Sequence, residues 1–156
     1  MNRIDRCFER LKVESKKGFI AYISAGDPDL EATKNISLQL AQSGVDILEL
    51  GVPFSDPLAD GLVNQLAAQR GLKSGATTEG VLETVRAIRK KSEIPVVLYI
   101  YYNLIHRRGL NNFIQMAAQS GVDGLLTLDL PPEEADEYEQ LMSKSGLASI
   151  WLIAPT

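Results

Sequence analysis

The hexapeptide Ala-Gln-Ser-Gly-Val-Asp occurs twice, at 41–46 and at 118–123, each time where a helical pattern stops on glycine and an apolar run begins. A weaker echo, Ser-Lys-Ser-Gly-Leu at 143–147, introduces another apolar run. A reused helix-to-strand joint constrains the fold strongly, because iterated β/α units generate such joints, although shared turn chemistry alone could give part of the likeness.

The rest of the chain fits that reading. Residues 3–12 place Ile4, Cys7, Phe8 and Leu11 on one face, which predicts a short amphipathic helix. Predicted strands cover 19–24, 46–50, 96–102, 124–130 and 148–154. Between them lie helices that align Ala32, Ile36 and Leu40 after an Asp29 cap; Leu62, Val63, Leu66, Ala67 and Arg70; Val81, Leu82, Val85 and Ile88 after a Thr78 cap; and Phe113, Ile114 and Ala117 after an Asn111 cap. Pro131-Pro132 stops the fourth strand, and Glu133 and Glu134 suit the positive end of the next helix. Near-continuous apolar strands alternating with helices predict an α/β fold with a parallel sheet and helices outside it.

The spacing between strand starts is uneven. The interval after the second strand is roughly twice each of the others, and such connections at the carboxyl ends of parallel strands are where these folds place their sites. That segment carries two acids, Glu49 near the strand end and Asp60 beyond a loop punctuated by Pro and Gly. Ile47 and Glu49 share one face of the strand. If that face lines the inside of a barrel, Glu49 projects into its mouth, where desolvation raises its pKa toward the range useful for proton transfer. The alternative is a buried Glu paired with a cation, but the strand ends offer none nearby. Asp60 has a plainer reading as an Asx-turn or N-cap residue of the helix starting at Leu62. Asp56 before Pro57 is typical of turn initiation. Tyr101 and Tyr102 end the third strand with one ring per face, where core packing is the default. Asp129, at the end of the fourth strand, could simply be a cap for the adjoining segment.

Composition narrows the function classes. A net charge of -4 argues against nucleic acid as a partner. One cysteine and one histidine, Cys7 and His106, make a metal cluster or a Cys/His dyad improbable, and Cys7 at helical spacing reads as a packed thiol. The charged amino end lacks a signal-peptide core, and no apolar run is long enough to span a bilayer, so a cytoplasmic location and no membrane contact are expected.

The run from Glu49 to Gly61, Glu-Leu-Gly-Val-Pro-Phe-Ser-Asp-Pro-Leu-Ala-Asp-Gly, resembles the signature of the tryptophan synthase alpha chain family. Supporting matches are Ala25-Gly-Asp-Pro28, Tyr102-Asn103, Gly121-Val-Asp-Gly-Leu125, Asp129-Leu-Pro-Pro-Glu-Glu134 and Ala154-Pro-Thr156, in the same order and spacing. The resemblance implies a (β/α)8 TIM barrel and retro-aldol cleavage of indole-3-glycerol phosphate to indole and glyceraldehyde 3-phosphate. It implies Glu49 as the acid/base and Asp60 as the group that stabilises positive charge on the indole nitrogen. Tyr22, Ile100, Tyr101 and Ile153 would line the indole pocket. Pro53, Phe54, Ser55, Asp56 and Pro57 would face a beta chain that carries pyridoxal phosphate, in a tetramer of two alpha and two beta chains. No cofactor is implied for this chain. An alternative is a catalytically weak alpha-like subunit whose task is to bind and activate a beta chain.

Tyr22, Leu62 and Leu128 stand where the family commonly shows Phe, Pro and Pro. A complete barrel takes roughly 250 residues, so 156 residues predict a single incomplete domain over 1–156 with about the first five strands. The phosphate-holding loops of the family come after the later strands, and this stretch alone is expected to be inactive.

Overall fold

A computed structural model of the chain describes residues 1–153. Five parallel strands, β1 (Ile20–Ser24), β2 (Ile47–Gly51), β3 (Val96–Ile100), β4 (Gly124–Thr127) and β5 (Ala148–Ile150), lie side by side in chain order. Helices α1 (Arg3–Val13), α2 (Leu30–Gln42), α3 (Leu62–Lys73), α4 (Thr78–Arg89), α5 (Tyr102–His106), α6 (Leu110–Ser120) and α7 (Asp136–Lys144) accompany them, with a 3-10 turn at Pro132–Glu134. β2, β3 and β4 are buried at every position except the half-buried Glu49 and Tyr99, which is why they read as near-continuous apolar runs, as parallel strands do.

Register assigns side chains to faces. Tyr22, Glu49, Val97, Gly124 and Ala148 form one cross-strand row, and Ser24, Gly51, Tyr99, Leu126 and Ile150 form the next. These rows point to the inner side, where Ile47, Val97 and Leu126 pack on Ile4, Cys7 and Leu11 of α1. The alternate residues Leu48, Leu50, Leu98, Ile100 and Leu125 point to the outer side and build the main core with Val81, Leu82, Phe113, Ile114 and Met142. Helix α1 therefore floors the inner side near the amino ends of the strands, opposite the end that carries Asp60.

The repeated hexapeptide has a physical purpose here. Gly44 and Gly121 adopt φ of 91° and 87°, left-handed values that favour glycine, and this turns each helix into the next strand. The aspartate that closes each copy then pins the preceding strand. Asp46 accepts from the Phe19 amide at 2.9 Å and from Arg10 at 2.6 Å; Asp123 accepts from the Val96 amide at 2.8 Å, from Arg89 at 2.6 Å and from Arg3 at 3.1 Å. Arg3 and Arg10 both belong to α1, so the two copies also fasten the floor helix.

Several element ends differ from the sequence expectation. Thr77, not Thr78, caps α4, and Gly109 precedes α6, so that Asn111 lies inside that helix. β3 stops at Ile100 because Tyr102 opens α5, and β4 stops at Thr127 rather than 130. Glu133 and Glu134 fall in the 3-10 turn ahead of α7. The expected fifth strand runs past Ile150 to Ala154, which lies outside the described residues. On α3 the buried residues are Ala67, Ala68 and Gly71, while Leu62 and Val63 are exposed. A Cβ on Gly71 would lie 2.7 Å from the Ala25 carbonyl, so α3 approaches the sheet through its small residues and not its large ones.

Candidate active site

β2 delivers Glu49 to the inner side between Tyr22 of β1 and Val97 of β3. Its side chain is half-buried and has no hydrogen bond or ion pair among the described residues. Burial by itself pushes the carboxyl above the ordinary range. A carboxyl in that condition keeps its proton to a higher pH than an ion-paired glutamate does, which suits it to proton transfer.

The connection from β2 to α3 brings Asp60 back over the same mouth. Gly61 is the residue that precedes α3, with no side-chain cap, so Asp60 does not serve as the N-cap. Instead its carboxylate accepts from the hydroxyl of Tyr99 at 2.9 Å and from that of Tyr101 at 2.8 Å, one donor to each oxygen. The Tyr101 hydroxyl in turn accepts from the Ala59 amide at 3.0 Å, and Gln65 donates to the Asp60 carbonyl at 2.8 Å. The tyrosine bonds tie the end of the loop to β3 and the residue that follows it, and the Gln65 bond ties it to α3. Burial and the Asp60 carboxylate together push both phenols well above the ordinary tyrosine range.

Tyr22 links the two acids. Its ring meets that of Tyr99 edge-on at 5.3 Å and 73°, a favourable aromatic geometry. Its hydroxyl lies over Gly51, where a Cβ would sit 2.3 Å away. Burial first, then the charges of Asp60 and Glu49, raise this phenol to about 12, against an opposing bond to Ser24. Tyr22 pairs with Glu49 across the sheet, and its ring meets that of Tyr99, whose hydroxyl bonds Asp60, so strand and loop converge on one place. The arrangement offers an unpaired proton carrier, a carboxylate locked in position and aromatic walls.

Not every predicted residue arrives there. Ile100 is fully buried on the outer side among the helices, because the inward positions of β3 are Val97 and Tyr99, with Tyr101 next. Tyr99 fills the place that Ile100 was expected to take. Counting by twos from Glu49's neighbour Val97 would have found it. Ile153 is 91% exposed beyond β5, where it borders a groove with Thr127, Leu128 and Trp151. Tyr102 leaves the strand, and its amide donates to Asp129 at 2.6 Å, so Asp129 opens α5 from the neighbouring strand end.

Within the 53–57 loop, Pro53 is buried against Gly71 and anchors the loop instead of presenting a surface. Phe54 stacks on Tyr101 at 5.0 Å and 30°. Ser55 and Asp56 are exposed, and Pro57 is partly so. Phe54, Ser55 and Pro57 border a groove of about 400 Å³ whose other wall is Leu62, Leu66 and Leu72 of α3. Among the described residues no His, Cys, Asp and Glu side chains group as a metal ligand set, and no helix is long and apolar enough to cross a membrane.

Residues 8–156 match the family model described as tryptophan synthase alpha chain. The chain belongs to the tryptophan synthase alpha chain family. Its sequence is 51% identical over 156 residues to the tryptophan synthase alpha chain of Opitutus terrae, covering all of this chain and 59% of that relative. Its structure superposes on the tryptophan synthase subunit alpha of Legionella pneumophila with a TM-score of 0.97 at 48% identity, over 100% of this chain and 60% of that one. A chain in the tryptophan synthase complex of Pyrococcus furiosus matches with a TM-score of 0.86 at 41% identity, over 89% of this chain and 57% of that one. The chain thus spans about 59% of the length of the curated relatives it matches. In a tryptophan synthase alpha fold its five strands are the first five of the (β/α)8 barrel, which makes the inner side of this sheet the barrel interior.

Proposed function

We propose that this tryptophan synthase alpha family protein cleaves indole-3-glycerol phosphate by a retro-aldol reaction to indole and glyceraldehyde 3-phosphate. The observation that carries the reading is the pairing of an unpartnered, half-buried Glu49 with an Asp60 carboxylate locked by two tyrosines, both acting on Tyr22. Glu49 handles protons. It protonates the ring carbon that bears the glycerol chain, and as a carboxylate it takes the proton from the side-chain hydroxyl as the carbon-carbon bond breaks. Protonation puts positive charge on the ring nitrogen, and a carboxylate fixed before the reaction stabilises that charge without reorganising. Tyr22, Tyr99 and Tyr101 supply the walls.

On this reading no cofactor takes part in this chain's chemistry. The partner is a beta chain carrying pyridoxal phosphate, in a complex of two alpha and two beta chains. Ser55, Asp56, Pro57 and the adjoining α3 groove form the docking face. The protein works in the cytoplasm, and residues 1–156 belong to one domain.

The test is indole release from indole-3-glycerol phosphate by full-length protein. Glu49→Gln abolishes release while stimulation of the beta chain persists. Absence of release from the unmodified full-length protein, with stimulation intact, overturns the lyase reading.

A further inference from the structure

We propose that Tyr99 is a positioning residue that holds Asp60 in its working orientation over the mouth of the sheet; the functional meaning of that orientation rests on the lyase reading. Asp60 stands on the connection between β2 and α3, nine residues beyond the last residue of β2; Gln65 of α3 holds its backbone carbonyl, but among the described residues no side chain of α3 comes within 3 Å of its carboxylate. Among the described residues, its carboxylate is bonded within 3 Å only to the two tyrosines of β3 and its end. The two differ in what they hold. Tyr101 grips both the Asp60 carboxylate and the Ala59 amide, so it fastens backbone and side chain together. Tyr99 bonds only to the other carboxylate oxygen. One bond leaves a carboxylate free to turn about its side-chain torsions; two bonds to its two oxygens fix the plane. Asn64 approaches the same oxygen as Tyr99 at 3.5 Å, too far to replace it.

Tyr99 is itself held rigidly. It sits on an interior strand and its ring is braced by Tyr22. The rigid strand thereby dictates the orientation of a carboxylate on a loop, which is the arrangement that electrostatic stabilisation of a developing cation needs. Each carboxylate oxygen has room for a further donor.

Tyr99→Phe keeps the ring and removes the bond. In full-length protein, kcat for indole release falls about tenfold, the scale of one hydrogen bond to a charged group, while KM changes less than about twofold. Amide hydrogen exchange is measured on the same preparations. It accelerates at Ala59 and Asp60 in Tyr99→Phe, and the same change made in an Asp60→Ala background has no further effect on that exchange. Unchanged kcat together with unchanged exchange overturns the proposal, as does a rise in KM that equals the fall in kcat/KM. If unmodified protein releases no indole, the lyase reading fails, and exchange decides the positioning role alone: acceleration that depends on Asp60 supports it, and acceleration of equal size without Asp60 shows that Tyr99 only packs.

Discussion

Arg89 donates to Asp123 at 2.6 Å with side-chain exposures of only 11% and 2%, at the end of the sheet remote from Asp60. The same guanidinium also donates to the carbonyls of Gly121, at 2.7 Å, and Ile94. Removing the acid would strand a buried charge. Asp123→Ala is predicted to cost about 3–5 kcal/mol, the range for breaking a buried pair from one side, and urea unfolding of the purified chain measures it. Asp46→Ala, in the sister copy of the repeat, should cost clearly less, because Arg10 remains half exposed and can return to water.

Asp46 and Glu49 predict opposite pH responses. The Phe19 amide and then Arg10 hold the Asp46 carboxyl below its ordinary range. Its contribution is present above the unfolded carboxylate pKa and is lost as pH falls through the depressed folded value. Burial holds Glu49 above its ordinary range, so the folded state keeps a proton that the unfolded state has released. Stability then declines as pH rises from the ordinary value through the raised one. Glu49→Gln should melt higher than the unmodified protein at pH 7, with the difference gone near about pH 4, close to the unperturbed glutamate value. Thermal melts at the two pH values check the sign; a variant that melts lower at pH 7 contradicts it.

Gly51→Ala is predicted to act on the site through Tyr22. The added methyl would sit 2.3 Å from the phenol oxygen and 2.8 Å from the ring, and a ring cannot yield as a flexible chain end does. Tyr22 must move off Tyr99. The expected cost is about 1–3 kcal/mol, typical of overpacking, with a loss of the mutual ring-current shifts of Tyr22 and Tyr99 in proton NMR spectra. Intact shifts would show that Tyr22 has room the structure denies it.

The groove between the 53–57 loop and α3 predicts where a beta chain binds. Leu62 and Leu66 are 70% and 45% exposed. Leu62→Lys with Leu66→Lys should weaken beta-chain binding by roughly tenfold or more, the loss expected for an apolar anchor. Circular dichroism should be unchanged, and calorimetric titration reads the affinity. Equal affinity would move the docking face elsewhere.

The strands and joints were legible in the sequence because parallel strands buried on both faces leave unbroken apolar runs, and because the joint glycines are placed by backbone geometry that few other residues satisfy. Glu49 was legible for a related reason: a carboxylate in such a run with no cation nearby calls for an explanation. Asp60 was ambiguous, because the residues that decide between a cap and a clamp, Tyr99 and Tyr101, are 39 and 41 positions away. Ile100 was placed on the wrong side because a slip of one residue in a strand exchanges its faces. The face of α3 was misread for another reason. Hydrophobic periodicity marks Leu62 and Val63, whereas close approach to the sheet selects Ala67, Ala68 and Gly71.

The floor helix α1 has a consequence in time. Its Arg3 bonds to Asp123 across 120 positions, and Asn2 just ahead of it bonds to the Asp123 carbonyl across 121. At roughly 5–20 residues per second of synthesis, α1 waits on the order of 6–24 s for the partner that fastens it. Until then its apolar stripe of Ile4, Cys7 and Leu11 has only part of its seat, since Val97 arrives late in that interval and Leu126 only after it. Nascent chains arrested before residue 123 should therefore be cleaved readily within the first dozen residues, and chains arrested well beyond β4 should resist. A helix made early would be made fast late.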